Sequence, residues 1–187
     1  YAAGYNLTTG TDSVYVGFNA GGVGVITGDY NTCVGKGAGL NMTTATGCTF
    51  IGTVAGGLGV VGGTGNEGRQ NTVVGYAAGY DLTVGENNCL MGVAAGTNLK
   101  DNDNNIAIGV SALATEESGA GYCIAIGSSA LALQDANVKN TAIGGLAGDA
   151  IEGGTQNTYV GYLSGSASVG THNNTALGHQ AYVKGTG

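Results

Sequence analysis

The stretch Asn140-Thr141-Ala142-Ile143-Gly144-Gly145-Leu146-Ala147-Gly148 decides the fold, because the chain keeps returning to it. It recurs as Asn71-Thr72-Val73-Val74-Gly75-Tyr76-Ala77-Ala78-Gly79 and as Asn174-Thr175-Ala176-Leu177-Gly178-His179-Gln180-Ala181-Tyr182. Aligning every copy on its first glycine gives ten anchors: Gly17, Gly35, Gly52, Gly75, Gly92, Gly109, Gly127, Gly144, Gly161 and Gly178. Successive anchors are 18, 17, 23, 17, 17, 18, 17, 17 and 17 residues apart. A fixed period of this length is the mark of stacked supersecondary units. The spacing of 23 marks a six-residue insertion within 56–70, in the glycine-rich stretch from Gly56 to Arg69. Residues 1–10 nearly duplicate residues 76–85, so the chain opens in mid-repeat, and it stops nine residues past Gly178. Exposed solenoid ends need caps, so 1–187 reads as a single repeat array cut from a longer chain.

Columns of the repeat can be numbered from the anchor glycine. Position −1 is always apolar: Val16, Val34, Ile51, Val74, Met91, Ile108, Ile126, Ile143, Val160 and Leu177. Position −3 holds Val14, Cys89, Ile106, Ile124 and six threonines, Thr32, Thr49, Thr72, Thr141, Thr158 and Thr175. Composition and alternation make this segment a β-strand, and the constant apolar column predicts that −1 and −3 face the core. Position +3 accepts only Ala or Ser: Ala20, Ala38, Ala55, Ala78, Ala95, Ala112, Ala130, Ala147, Ser164 and Ala181. So small a column implies close approach of another backbone and marks the Ala/Gly columns as candidate interchain surface. The anchor glycines supply turns with positive φ or room for that approach. All twelve acidic residues fall five or more positions after an anchor, which places the variable arc in water and the motif at an inner or interface surface.

Composition narrows the classes. Glycine fills 39 of 187 positions and proline none, with 9% charged residues and 42% hydrophobic ones. Collagen is excluded because it requires a Gly-X-Y period and proline, and a disordered chain would be poorer in aliphatic residues. The missing proline suits an uninterrupted backbone ladder. A net charge of −7, with only five scattered basic residues, argues against nucleic acid, which is bound by clustered cations. No apolar run approaches the ~20 residues of a membrane-spanning helix.

The residues that could carry chemistry are few. His172 and His179 have few acids near them, and a catalytic or metal site needs several such groups converging, so both read as exposed structural residues. Gly21-Gly22-Val23-Gly24 and Gly62-Gly63-Thr64-Gly65 resemble calcium-binding nonapeptide repeats but lack their aspartate, and no glycine-rich stretch leads into a phosphate-binding Lys-Ser/Thr. Cys33, Cys48, Cys89 and Cys123 occupy no single column in this reading and are expected as mostly buried free thiols. Phe18, Tyr76 and Tyr162, just after anchors, are candidate glycan contacts, although packing on the next turn or a neighbouring chain is the favoured reading. The −4 asparagines (Asn31, Asn71, Asn88, Asn105, Asn140, Asn157, Asn174) are expected to form an amide ladder along the stack. No catalytic, metal or cofactor-binding residue is assigned.

At the Asn-Thr-Ala-Ile-Gly-x-x-Ala motif the chain resembles the repeats of phage tail fibres and bacterial surface fibres that end in an intramolecular chaperone domain. It is also similar to the heads of YadA-type trimeric autotransporter adhesins. The resemblance covers essentially the whole chain. It implies a left-handed parallel β-roll, a homotrimer and a role in attachment at a cell surface or virion. The 17-residue turn is longer than that of the adhesin heads, and no stretch of these 187 residues reads as a chaperone or membrane-anchor domain.

The expectation is therefore an all-β parallel β-solenoid of about ten 17-residue turns, roughly 50 Å long, associated with itself as a homotrimer. It would be a non-enzymatic structural segment of an extracellular fibre, joining end to end or touching a host-surface glycan or protein through its variable arcs. The alternative is an ice- or glycan-binding solenoid. The −3 threonines suggest it, whereas their shared face with the apolar column, read as core, counts against it. A polysaccharide-cleaving spike would need paired carboxylates in a groove, and the acids here are single and irregularly placed.

Overall fold

The structure, a computed structural model, describes residues 3–22, 24–57, 68–115, 121–134, 139–166 and 169–181. The ten strands are β1 (Val14–Val16), β2 (Thr32–Val34), β3 (Thr49–Ile51), β4 (Thr72–Val74) and β5 (Cys89–Met91), then β6 (Ile106–Ile108), β7 (Ile124–Ile126), β8 (Thr141–Ile143), β9 (Thr158–Val160) and β10 (Thr175–Leu177). They form one parallel sheet in sequence order, each anchored column in register with the next. The chain is an all-β parallel β-solenoid of about eight turns. Much of the insertion near Gly56 to Arg69, with Gly62-Gly63-Thr64-Gly65, and residue 23 of the other glycine-rich stretch lie outside the described residues.

Each rung begins with one short strand and a tight turn, and where the following residues are described a second tight turn comes next. The anchor glycine ends the strand with φ between 122° and 142°, and its carbonyl accepts the N–H of the +3 residue, as Gly144 does from Ala147 at 3.2 Å. The second turn runs from +4 to +7, closed for example by Leu82 N–H to the Gly79 carbonyl at 3.1 Å. Position +2 is left-handed in every rung, occupied by Asn19, Val54, Ala77, Ala94, Ser111, Ser129, Leu146, Leu163, Gln180 or Gly37. Consecutive anchors stack on one another. A Cβ on Gly35 would lie 2.5 Å from the carbonyl oxygen of Gly52, so no side chain fits the column.

The core is lined by columns −2, +3 and +7. The middle strand residue points inward, and Cys33, Phe50, Val73, Leu90, Ala107, Ala125, Ala142 and Tyr159 are fully buried. This reverses the expectation from sequence: −1 and −3 face outward, because in a three-residue strand the two ends share the face opposite the middle. The inner column varies widely in size, and position +4 compensates for it. Phe50 and Tyr159 are followed at +4 by Gly56 and Gly165, whereas Ala107 and Ala125 are followed by the buried Leu113 and Leu131. A Cβ on Gly56 would approach Phe50 Cε1 to 2.7 Å, so the glycine makes room for the ring. Ala142 with Gly148 departs from the pairing, and there the space is filled by Ile151, Leu131 and Tyr159.

Strand entry is fixed by the −4 column. Asn88 Oδ1 accepts the N–H of Asn105 in the next rung at 2.9 Å, and its Nδ2 donates to the Asn102 carbonyl at 2.7 Å. Asn31, Asn71, Asn140 and Asn157 repeat this pair of bonds. The ladder thus runs mainly from side chain to backbone, with one amide-to-amide bond, from Asn174 Nδ2 to Asn157 Oδ1 at 3.2 Å. The bonds to backbone deliver a partner to otherwise orphaned buried groups.

Candidate interaction face

With −3 and −1 turned outward, the strands display a flat uninterrupted face. In-register pairing stacks like positions from β1 to β10. Its apolar side chains meet solvent in the single chain: Val16 is 54% exposed, Met91 43%, Ile143 40% and Leu177 77%. Position +1 extends the face with Phe18, Tyr76, Val93, Val110 and Tyr162, all exposed. No acidic residue stands at −3, −1 or +1 in any rung, and Lys36 and His179 are the titratable exceptions apart from the Cys89 thiol and the two tyrosines. Exposed apolar side chains in this number on one face make it the candidate interaction surface of the chain.

The small-residue column, by contrast, is interior. Ala20, Ala38, Ala55, Ala78, Ala95, Ala112, Ala130, Ala147 and Ser164 are fully buried, and Ala181 packs against the same core. Position +3 follows a tight turn that brings it against the inner strand residues, so its smallness answers a contact within the chain. The alanine column is therefore not an interchain surface, whereas the anchor glycines are partly exposed between −1 and +1.

Outward threonines also remove the argument that their column is core. Thr32, Thr49 and Thr72 stack in one run and Thr141, Thr158 and Thr175 in another, each beside an aliphatic −1 residue. The candidate glycan aromatics do not converge: Phe18, Tyr76 and Tyr162 follow β1, β4 and β9, separated by three and five rungs. Tyr162 stacks on His179 of the next rung, with ring centroids 5.6 Å apart and planes at 22°. His172 is exposed, and its Nδ1 accepts the Thr155 N–H at 3.2 Å. Among the described residues no three His, Cys, Asp or Glu side chains gather to hold a metal ion.

The cysteines divide by face. The four occupy no single column, but Cys48 and Cys123 share position −4. These two stand where other rungs have Asn: the Cys48 thiol donates to the Gly68 carbonyl at 3.1 Å, and buried Gln134 reaches Cys123 Sγ and receives the Asn140 amide at 2.8 Å. Burial pushes the Cys33 thiol up to about 12 and that of Cys48 to about 11, so both remain protonated thiols near neutrality. Cys89, at −3, lies on the outer face and is partly exposed; all four cysteines are free. No protein-family model, curated protein or solved structure matches the chain.

Proposed function

We propose that the chain is a structural segment of an extracellular fibre, a shaft or head serving attachment, in which copies of a roll of ten 17-residue turns lie side by side as a homotrimer. The observation that carries this reading is an outward face without a single acidic residue, its one lysine being Lys36, on a chain whose net charge is −7. Like chains repel wherever their acids meet, and this face is where they can approach. Ten rungs spaced ~4.8 Å and a width of roughly 13 Å give about 550 Å² on each copy in projection. Two such faces together reach the ~1,000 Å² of a specific interface. The motif's resemblance to fibre repeats supports three copies in particular. In this reading the chain catalyses nothing, and the variable arcs contact a host-surface glycan or protein.

Light scattering after gel filtration tests the assembly. A species of about three times 18.2 kDa is expected, and a well-folded monomer at micromolar concentration overturns it. The two runs of outward threonines beside aliphatic residues favour a second reading, an ice- or glycan-binding solenoid that uses the same face. Such a chain is monomeric and shapes ice crystals or binds a glycan, so the mass measurement separates the two.

A further inference from the structure

The outward face is not uniform along the rod. On β5, β6 and β7 both outward strand positions are free of hydroxyls: Cys89 with Met91, Ile106 with Ile108, and Ile124 with Ile126. On β2 to β4 and on β8 to β10 the −3 position is threonine throughout. β1 repeats the apolar pairing at a single rung. The sequence therefore places one compact apolar island near the middle of the face and borders it on both sides with threonine rungs.

We infer that this island is where copies of the chain lock together, so that the contact is centred on β6 and Cys89 lies inside it. The inference rests on the self-associating fibre reading and adds its location. Binding energy concentrates in a desolvated centre while a polar surround excludes water, and the threonines supply such a surround. Ile106, Ile108, Ile124 and Ile126 are stiff at χ1 and lose little freedom when covered. Sliding one copy by a rung, ~4.8 Å, would set an isoleucine row against a threonine row. It would bury hydroxyls without partners, at a cost that neutral aliphatic contact does not recover. Alignment about β6 sets aliphatic rows on aliphatic rows and threonine rows on threonine rows. A second copy is the occupant that fits, since it brings the same pattern at the same spacing and no Lys, Arg, Asp or Glu at −3, −1 or +1 of β5 to β7.

Two measurements decide it. Ile108→Glu, in the island, and Val160→Glu, in the same column on β9, are compared by light scattering across a dilution series. Both side chains are outward and half-buried, so circular dichroism should report the same β content as the wild type. The expected result is a dissociation constant raised at least ~100-fold by Ile108→Glu and less than ~10-fold by Val160→Glu. In parallel, maleimide labelling of the assembled wild type is read by mass spectrometry. Cys89 should be protected by about tenfold or more relative to dissociated chain at high dilution. Equal effects of the two glutamates, or a Cys89 that labels as fast in the assembly as in dissociated chain, overturn the island while leaving the fibre reading intact. A wild type that never associates overturns both, and if Ile108→Glu fails to fold, Cys89 protection alone decides.

Discussion

Position −2 and position +4 of a rung share one volume of core. Where the strand contributes Phe50 or Tyr159, the turn contributes glycine; where it contributes Ala107 or Ala125, the turn contributes leucine in the left-handed region, with φ of 51° at Leu113 and 50° at Leu131. Those leucines accept a backbone cost of roughly 1–2 kcal/mol in exchange for filling a space that alanine leaves empty. The trade predicts a strong double-mutant coupling. Tyr159→Ala opens a cavity and should cost about 3–5 kcal/mol. Gly165→Leu drives a side chain into the Tyr159 ring and should cost at least about 2 kcal/mol. Together they recreate the Ala/Leu pairing, and urea unfolding should show the double variant about 1–3 kcal/mol more stable than the sum of the singles. The same covariation within one chain was the signal that could have told inside from outside in the sequence. A strand of three residues offers a single alternation, so a constant apolar column at −1 looks like core, whereas an inner column mixing Ala, Cys, Val and Tyr looks like surface. The anchors, strand positions and small column were legible because each is repeated ten times.

Between neighbouring strands, side chains at two columns bind the backbone in opposite directions. Asparagines at −4 accept the N–H of the following rung, while −6 side chains accept from the preceding one, as Asp103 does from Glu86 at 2.7 Å and Asp29 from Thr11 at 2.7 Å. Where both are present, the strand entry is gripped from above and below. Cys48 interrupts the first of these ladders between β3 and β4, where its thiol, a weaker donor, reaches the Gly68 carbonyl, and Cys33 is buried in the same core. Desolvation raises both thiols above their ordinary value of 9.0, to about 12 and about 11. An unfolded chain releases these protons first, so the native state binds more protons through this range and stability falls as pH rises. The loss should begin near pH 9 and grow to about pH 11–12. Thermal melts from pH 8 to 11 check this, and Cys33→Ala with Cys48→Ala should flatten the slope, though at a lower starting stability. The shared column of Cys48 and Cys123 could be read from spacing alone. Its meaning could not, because only the fold shows Gln134 bridging Cys123 Sγ and the Asn140 side-chain amide.

For the whole molecule, the decisive feature is a rod that is finished inside and unfinished on one outer face. The repeat period announced the rod, but the location of the face depended on the inside–outside assignment and was not legible until the strands had been seen. If the face is covered by copies of the chain, stability must depend on protein concentration. For a three-chain assembly, about a hundred-fold increase in concentration should raise Tm by roughly 5 °C, and scanning calorimetry at the two concentrations checks it. A concentration-independent melt sinks the trimer. The ladder has a mechanical corollary. Every inter-rung bond, backbone and asparagine alike, points along the rod's long axis, so a pull on the two ends loads them one rung after another instead of all at once. Each rung that yields would release ~17 residues, close to 55 Å of extended chain, in exchange for ~5 Å of rod. Such a segment resists bending and compression, yet under tension it lengthens in equal steps, and it would behave as a stiff spacer with a built-in shock absorber.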